Sequence, residues 1–412
     1  MREAALSLLA ALALLAGCAQ EPAAPQLSTV DLALTAIRVS PSPATVGESV
    51  LIEANVLNEG EELVAGATLT FFLDEDQDEI GAPDEIAGGP IAIDVLTPGD
   101  SALVATRVDS LPSGDHLFLA KIDIEDDDPA NDQLSGAVTA VGADEIRIHM
   151  IDVGQGDAIL VEFPDGPKIL VDGGEPEEGP GLLQYLRTAE VNALDLVVST
   201  HQDQDHYGGL TSVLRGLPVT TLWRSCRRDG GGADLAELHS VVDSLVAAGG
   251  LDVLNVADDE EWPMADPESR LIVLNPETVL TAECDADEDE LNELSVVIRI
   301  EFDQFAALLT GDVGADTEAE LIARDPLLLD AAVVQAPHHG SRFSSSASFA
   351  QAVDAELVLI SVGADNSHGH PHPETLQRWS DAGVEVRRTD EEGTLIVVSD
   401  GSTFRVIQGV GP

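Results

Sequence analysis

The stretch Ser199-Thr200-His201-Gln202-Asp203-Gln204-Asp205-His206-Tyr207-Gly208-Gly209 places four ligand-capable side chains within six residues, directly after the largely apolar run Leu194 to Val198. A short apolar run bounded by polar residues reads as a buried strand. His201, Asp203, Asp205 and His206 then occupy the loop at its carboxyl end, and Gly208-Gly209 opens the next helix. Such a loop can aim imidazoles and carboxylates at one point, as a two-metal hydrolytic centre requires. A solvated polar loop would have no reason to gather two His and two Asp beside a buried strand.

The chain around this loop has 412 residues, 44% of them hydrophobic, which predicts two or three domains with real cores. Seventy-six acids face nineteen bases, for a net charge of −57. That balance keeps a protein soluble and monomeric by repulsion, and salt-adapted proteins use the same lever. It argues against a broad nucleic-acid footprint, which needs positive charge to displace counterions from phosphates.

Residues 1–17 read as a secretory signal, with Arg2 ahead of the apolar Leu6 to Leu15. The apolar stretch is shorter than the roughly 20 residues a spanning helix needs. Leu15-Ala16-Gly17-Cys18 resembles a bacterial lipobox, which implies cleavage before Cys18, lipidation of its sulfur, and residues 18–29 as a tethered linker. The expected location is extracytoplasmic, lipid-anchored to the outer membrane or cell surface. That address permits disulfides. Cys226 and Cys284 are then either paired with each other or free buried thiols.

From residue 30 to 142 the pattern is about seven short alternating or apolar runs punctuated by Gly and Pro, which predicts an all-β sandwich. The runs are Asp31 to Val39, Ser49 to Leu57, Ala67 to Leu73, Ile91 to Leu96, Ala102 to Val108, His116 to Ile122 and Gly136 to Val141. Asp74, Asp76 and Asp78, with Glu85 at the twelfth position, read either as an acidic hairpin or as a loose Ca²⁺ loop. Glu79 stands where such a loop wants glycine. Val46-Gly47-Glu48, Val56-Leu57-Asn58-Glu59-Gly60, Leu96-Thr97-Pro98-Gly99 and Ser113-Gly114-Asp115-His116 resemble the CARDB type of immunoglobulin-like domain. The resemblance implies a spacer or a module that binds a surface partner.

From residue 144 to 412 strands alternate with helices, which predicts two sheets covered by helices. Seven of the ten histidines fall in three clusters just past expected strands: His201 and His206, His338 and His339, then His368, His370 and His372. Loops at strand ends are where α/β folds place their sites. His149, His239 and His372 read as surface residues, and Asp152, Asp157 and Asp172 as braces beneath the site. Arg224, Arg227 and Arg228, with Arg342, form a local exception to the acidic composition and suit an anionic substrate.

Asp152-Val153-Gly154-Gln155-Gly156-Asp157, Leu170-Val171-Asp172-Gly173-Gly174, the His201 to His206 motif, Leu309-Thr310-Gly311-Asp312, Pro337-His338-His339-Gly340-Ser341 and Gly369-His370-Pro371 together resemble the metallo-β-lactamase superfamily, and within it the hydrolase domain of ComEC-like competence proteins. The resemblance implies a four-layer αββα sandwich with two divalent metal ions at one edge. Carried over by position, His201 and Asp203 hold the first ion, Asp205, His206 and His338 hold the second, and Asp312 bridges them. Asp203 stands where most superfamily members have His, and the third ligand of the first ion has no counterpart beyond Asn292 and Ser295. An oxygen-richer set admits Mn²⁺ or Mg²⁺ beside Zn²⁺. Asp205, His339 and His370 are the candidate catalytic residues, and Asn292, Ser341 and Arg342 the candidate substrate-binding ones. The implied activity is hydrolysis of phosphodiester bonds in DNA or nucleotides by metal-activated hydroxide. A small ester, lactone or β-lactam substrate on the same centre, or a non-catalytic adhesion protein, are the competing readings.

Overall fold

The computed structural model describes residues 30–75, 79–124, 130–164, 166–228, 230–280, 284, 288–409 and 411. The signal segment, Cys18 and the linker lie outside the described residues, as do Asp76, Asp78 and Asp126 to Asp128.

Strands β1 to β8 run Leu32–Ser40, Ala44–Thr45, Val50–Asn58, Thr68–Asp74, Ile86–Ala92, Ser101–Val108, Gly114–Asp123 and Gln133–Val141. They form a three-stranded sheet, β1-β3-β6, facing a five-stranded sheet, β2-β8-β7-β4-β5. Strict alternation in β3 buries Val50, Ile52, Ala54 and Val56 on one face, where they meet Leu69, Phe71 and Phe118 of the opposite sheet. The fourth strand expected from sequence, Ile91 to Leu96, instead runs Ile86–Ala92. In the loop between β4 and β5, Glu79 does take the left-handed conformation (φ 60°), and its N–H bonds Asp74 at 2.9 Å. The Glu85 carboxylate accepts the N–H groups of Glu75 and Ala82.

Strands β9 to β22 run Ile146–Met150, Ile159–Glu162, Lys168–Val171, Leu194–Ser199, Val219–Arg224, Asp252–Asn255, Ser269–Asn275, Val297–Phe302, Phe305–Leu309, Val333–Gln335, Leu357–Ile360, Glu385–Arg388, Leu395–Ser399 and Phe404–Gln408. They make an eight-stranded sheet, β14-β13-β12-β11-β10-β9-β21-β22, and a six-stranded sheet, β15-β16-β17-β18-β19-β20. Leu196 and Val198 of β12 point into the layer between the sheets, among Ile148, Leu271, Ile298 and Leu309. Val197 points the other way, against the helices Gly179–Thr188, Leu210–Gly216 and Gly232–Ala247. The outer face of the second sheet is covered by Ala315–Arg324, Ala347–Val353 and Pro373–Ala382, with Trp379 fully buried. Burial on both faces is why these strands read as continuous apolar runs. The order of layers is helix, sheet, sheet, helix.

Strands β13, β14, β15 and β20 were not expected. They are short or charge-bearing, and period alone does not separate such runs from loops. A further correction concerns His149, which is fully buried and bonds the Tyr185 hydroxyl at 2.7 Å. Val141, at the end of the sandwich, packs on Ile396 and Val398 of β21, and the Arg147 guanidinium donates to Thr45 Oγ1 at 2.9 Å.

Candidate metal centre

The carboxyl ends of β11, β12, β17 and β18 lie along one edge of the two sheets, and their loops carry Asp172, His201 to His206, Asp312 and His338-His339. Two glycines allow these loops to touch. A Cβ on Gly209 would sit 2.0 Å from the Gly173 carbonyl oxygen, and one on Gly156 (φ 118°) would sit 2.1 Å from the Asp205 carbonyl. Close approach of backbone to backbone therefore fixes the Asp152 to Asp157 loop under the His201 to His206 loop.

Three imidazoles are held by their Nδ1 atoms, and this orients their Nε2 atoms. His206 Nδ1 donates to Asp172 Oδ2 at 2.9 Å. His339 Nδ1 donates to the Ser361 carbonyl at 2.9 Å. Thr200 Oγ1 gives its proton to Asp172 Oδ2 at 2.6 Å, so at 3.1 Å it accepts from His201 Nδ1. Each ring thus has its Nε2 lone pair directed away from its support, the arrangement that carboxylate- and carbonyl-bonded metal ligands show. His206 Nε2 lies 3.2 Å from His339 Nε2 and 3.2 Å from Asp312 Oδ1. His339 Nε2 is also 3.4 Å from Asp205 Oδ2 and 3.6 Å from Asp312 Oδ1. His201, His206 and Asp312 offer donor atoms within 4.8 Å of one another, as do Asp205, His206 and His339.

Two observations test whether a cation fits here. Asp312 Oδ1 is buried without a hydrogen-bond partner, although such atoms in folded proteins nearly always have one. The facing Nε2 atoms of His206 and His339 need either a shared proton or a cation between them. The ionisation of the site says the same. Burial favours neutral forms throughout, yet the charges of Asp312 and Asp205 push His206 well above its ordinary value. His339 rises to about 10, because Asp312 and Asp157 outweigh its burial. Asp312 stays well below the carboxylate range against its burial, held there by His206 and His339. Buried carboxylates here demand positive charge, which protons or divalent ions can supply. The mixed nitrogen and oxygen set suits Zn²⁺ or Mn²⁺.

The structure distributes the expected residues unevenly. His201, His206, Asp205 and Asp312 converge. Asp203 turns its Oδ2 to 3.7 Å from His201 Nε2 and its Oδ1 to 3.3 Å from the Arg228 guanidinium. Of the histidine pair, His339 is buried among the converging atoms, whereas His338 is half-exposed with Nε2 3.7 Å from Asp312 Oδ2. Consecutive residues point apart, so one ring of the pair faces inward. Both take left-handed φ values, 53° and 52°. Sequence reasoning gave the inner place to His338, because periodicity does not say which ring a turn sends inward.

Ser295 supplies support where a third ligand was sought. Its Oγ accepts the Asp312 N–H at 3.1 Å and lies 3.3 Å from His201 Nδ1. Asp172 braces as expected, also accepting the Thr200 N–H at 2.8 Å. Asp157 lies on the Nδ1 side of His339, at 3.6 Å, and accepts a bond from Gln335 Nε2. Gln335 went unnoticed in the sequence. Its Oε1 also accepts the N–H groups of Thr310 and Gly311, which sets the loop carrying Asp312.

A cleft of about 780 Å³ opens over these residues, walled by Gln155, Glu175, Arg228, Asn292, Ser341 and Arg342 and by His338, His368, His370 and His372. Burial and the neighbouring histidines hold His370 down at about 3, so it is neutral at pH 7. The arginine cluster divides: Arg227 forms a two-pronged pair with Asp243 and Arg224 bonds Asn255, whereas Arg228 and Arg342 line the cleft. Cys226 and Cys284 are bonded, with Cα atoms 6.0 Å apart, and Arg228 pairs with Cys284 in an isolated bridge. The disulfide thus anchors the backbone that carries Arg228.

Residues 151–263 match the family model of the metallo-beta-lactamase superfamily. The second domain of the chain is a metallo-β-lactamase-fold domain. The curated proteins it is similar to include competence proteins of the ComEC-like kind. The chain is 29% identical over 273 residues to ComE operon protein 3 of Bacillus subtilis, a match covering 61% of this chain and 33% of that protein. It is 27% identical to Competence protein ComA of Neisseria gonorrhoeae (62% and 33% covered) and 29% identical to Recombination protein 2 of Haemophilus influenzae (56% and 26%). The match spans about a third or less of these relatives' length. Among solved structures the chain is similar to the CARDB domain of the PF1109 protein of Pyrococcus furiosus (16% identity, 27% of this chain, 90% of that chain, TM-score 0.23). It is also similar to CmlA, a diiron β-hydroxylase from Streptomyces venezuelae (12%, 71%, 69%, TM-score 0.36).

Proposed function

We propose that the chain is a lipid-anchored, extracytoplasmic hydrolase of phosphodiester bonds that uses two divalent cations. The convergence of three Nδ1-anchored imidazoles with Asp205 and the orphaned oxygen of Asp312 carries the reading. His201, His206, His339, Asp205 and Asp312 would hold the cations, with Asp203 at 3.7 Å from His201 as the remaining oxygen donor. Bound there, the ions supply Lewis acidity and a water acidic enough to ionise near neutral pH. The chain's own groups do the rest. Arg228 and Arg342 of the cleft wall bind phosphate oxygens, and neutral His370 offers a ring nitrogen to the same group. Asp172, Thr200 and Ser361 keep three Nε2 atoms aimed inward, so no reorganisation is needed when substrate arrives.

A phosphodiester is favoured over a neutral ester by the cleft wall. In a chain with nineteen bases, two of them and five histidines line this one cleft. The whole-molecule charge of −57 repels a long polyanion, so short strands or nucleotides fit better than long duplexes.

The test is turnover of bis(p-nitrophenyl) phosphate and of a short oligonucleotide by the mature protein loaded with Mn²⁺ or Zn²⁺. Asp312→Ala is expected to lower the rate by at least about 100-fold, the upper range for losing even a supporting group. Unchanged turnover in that variant sinks the two-cation reading. Turnover confined to lactones or β-lactams moves the substrate assignment.

A further inference from the structure

We infer that Arg342 and Phe343 form a nucleotide subsite, in which an unpaired base stacks on the Phe343 ring while the adjoining phosphate rests on the Arg342 guanidinium. This deepens the phosphodiester reading and depends on it for the location of the scissile bond alone.

Phe343 is 74% exposed, in a chain whose aromatic content is 3%. It stands where two clefts meet. The cleft over the candidate metal residues and a second one of about 390 Å³ share Asn292, Asp312, His338 and Phe343. A large apolar ring left in water at the junction of two polar clefts, next to the converging carboxylates, has no packing role to explain it. Its neighbour is equally unusual. Most other arginines among the described residues pair with a carboxylate, carbonyl or hydroxyl, as Arg228 does with Asp203, Arg405 with Glu145 and Arg299 with the Leu328 carbonyl. Among the described residues the Arg342 guanidinium has no ion pair and no hydrogen bond, although its side chain is exposed at the cleft wall.

The two side chains project from backbone that is fixed on every side. The Arg342 N–H donates to His372 Nδ1 at 3.2 Å, and its carbonyl accepts from Arg378 at 3.1 Å. The Phe343 carbonyl accepts the Ala315 N–H at 3.1 Å. Just beyond, the Ser344 carbonyl accepts from Arg378 at 2.9 Å, and the buried Glu318 carboxylate accepts the N–H groups of Ser345 and Ser346. A planar ring beside an unpaired guanidinium, both on rigid backbone, is the recognition pair single-stranded nucleic acids use: every base has a stacking face, and a fork of N–H donors matches a phosphate. A duplex hides its base faces and does not engage such a ring.

The experiment is a binding measurement. Fluorescence anisotropy compares a labelled oligothymidylate with an abasic oligomer of equal length, in about 1 M salt, where the Debye length of about 3 Å quiets the surface charge. Wild-type protein is expected to bind the oligothymidylate about 10-fold or more tightly than the abasic strand, the scale of one stacked base. Phe343→Ala removes that preference while leaving abasic binding unchanged, and Phe343→Trp restores it. Arg342→Gln weakens both strands alike. Equal binding of the two strands by wild-type protein, or a preference that survives Phe343→Ala, overturns the subsite. Preferential binding without turnover of either strand by the metal-loaded protein leaves the subsite standing and refutes the phosphodiesterase reading instead.

Discussion

At the scale of single residues, the centre depends on groups that never reach the cleft. Asp172 accepts three hydrogen bonds, from the Thr200 N–H, the Thr200 hydroxyl and His206 Nδ1. Its φ of 58° is a conformation Asn tolerates well, so Asp172→Asn keeps the backbone. The amide nitrogen cannot accept: in the place of Oδ2 it forfeits the bonds from both the Thr200 hydroxyl and His206 Nδ1, and in the place of Oδ1 it forfeits the bond from the Thr200 N–H that holds the loop. Mn²⁺ affinity measured by titration calorimetry is expected to fall about 10- to 100-fold, with an unchanged circular-dichroism spectrum. An unaltered affinity would mean that Asp172 serves only the backbone of the loop.

At the scale of elements, three adjacent strands share one buried charge network. Glu162 of β10 bonds Lys168 Nζ of β11 at 2.7 Å and lies 3.3 Å from His149 Nε2 of β9, whose other nitrogen meets Tyr185. Burial raises the Glu162 carboxyl, but His149 and Lys168 outweigh it and bring it from 4.5 to about 2. A depressed folded value means stability that is whole above about pH 4.5 and is lost as the pH falls toward 2. The shift corresponds to roughly 3 kcal/mol. Urea unfolding at pH 6 and pH 3 is therefore expected to show a smaller acid loss in Glu162→Gln than in wild type, with the variant weaker at pH 6. Equal acid losses would place the sensitivity elsewhere.

The strand-end loops were the most legible elements. The run before His201 and the Thr-Gly-Asp after β17 announced themselves by apolar content followed by ligand-capable residues. The choice between His338 and His339 was not legible. It depends on a left-handed turn whose direction is set by the Gly311 carbonyl bonding the His338 N–H and by the Gly340 carbonyl bonding the His372 N–H. The four strands β13, β14, β15 and β20 were hidden for a related reason. Each is held by ladder pairing with a neighbouring strand, and β14 and β20 have no fully buried residue to mark them in the sequence.

At the scale of the molecule, a net charge of −57 opposes compaction through self-repulsion. Raising salt from about 0.1 M to about 1 M shortens the Debye length from about 10 Å to about 3 Å. The urea midpoint is expected to rise across that range, the reverse of what loss of surface ion pairs alone would give. A flat or falling midpoint would show that local pairs such as Arg387 with Glu392 already neutralise the repulsion. No helix among the described residues is long and apolar enough to cross a membrane. Attachment by lipid at Cys18 is part of the proposal, to be read as a mass increase on the mature amino terminus.

The sequence by itself determined the class of fold and most of the ligand-bearing loops, because burial on both faces leaves apolar runs and metal chemistry needs particular side chains at their ends. Tertiary structure alone decided which imidazole of the pair turns inward, that Ser295 supports two ligands where a third was sought, and that Cys226 meets Cys284. It also decided that Phe343 stands in water at the meeting of two clefts. Each of these is a relation between distant segments, fixed by hydrogen bonds and close backbone contacts that no local pattern records.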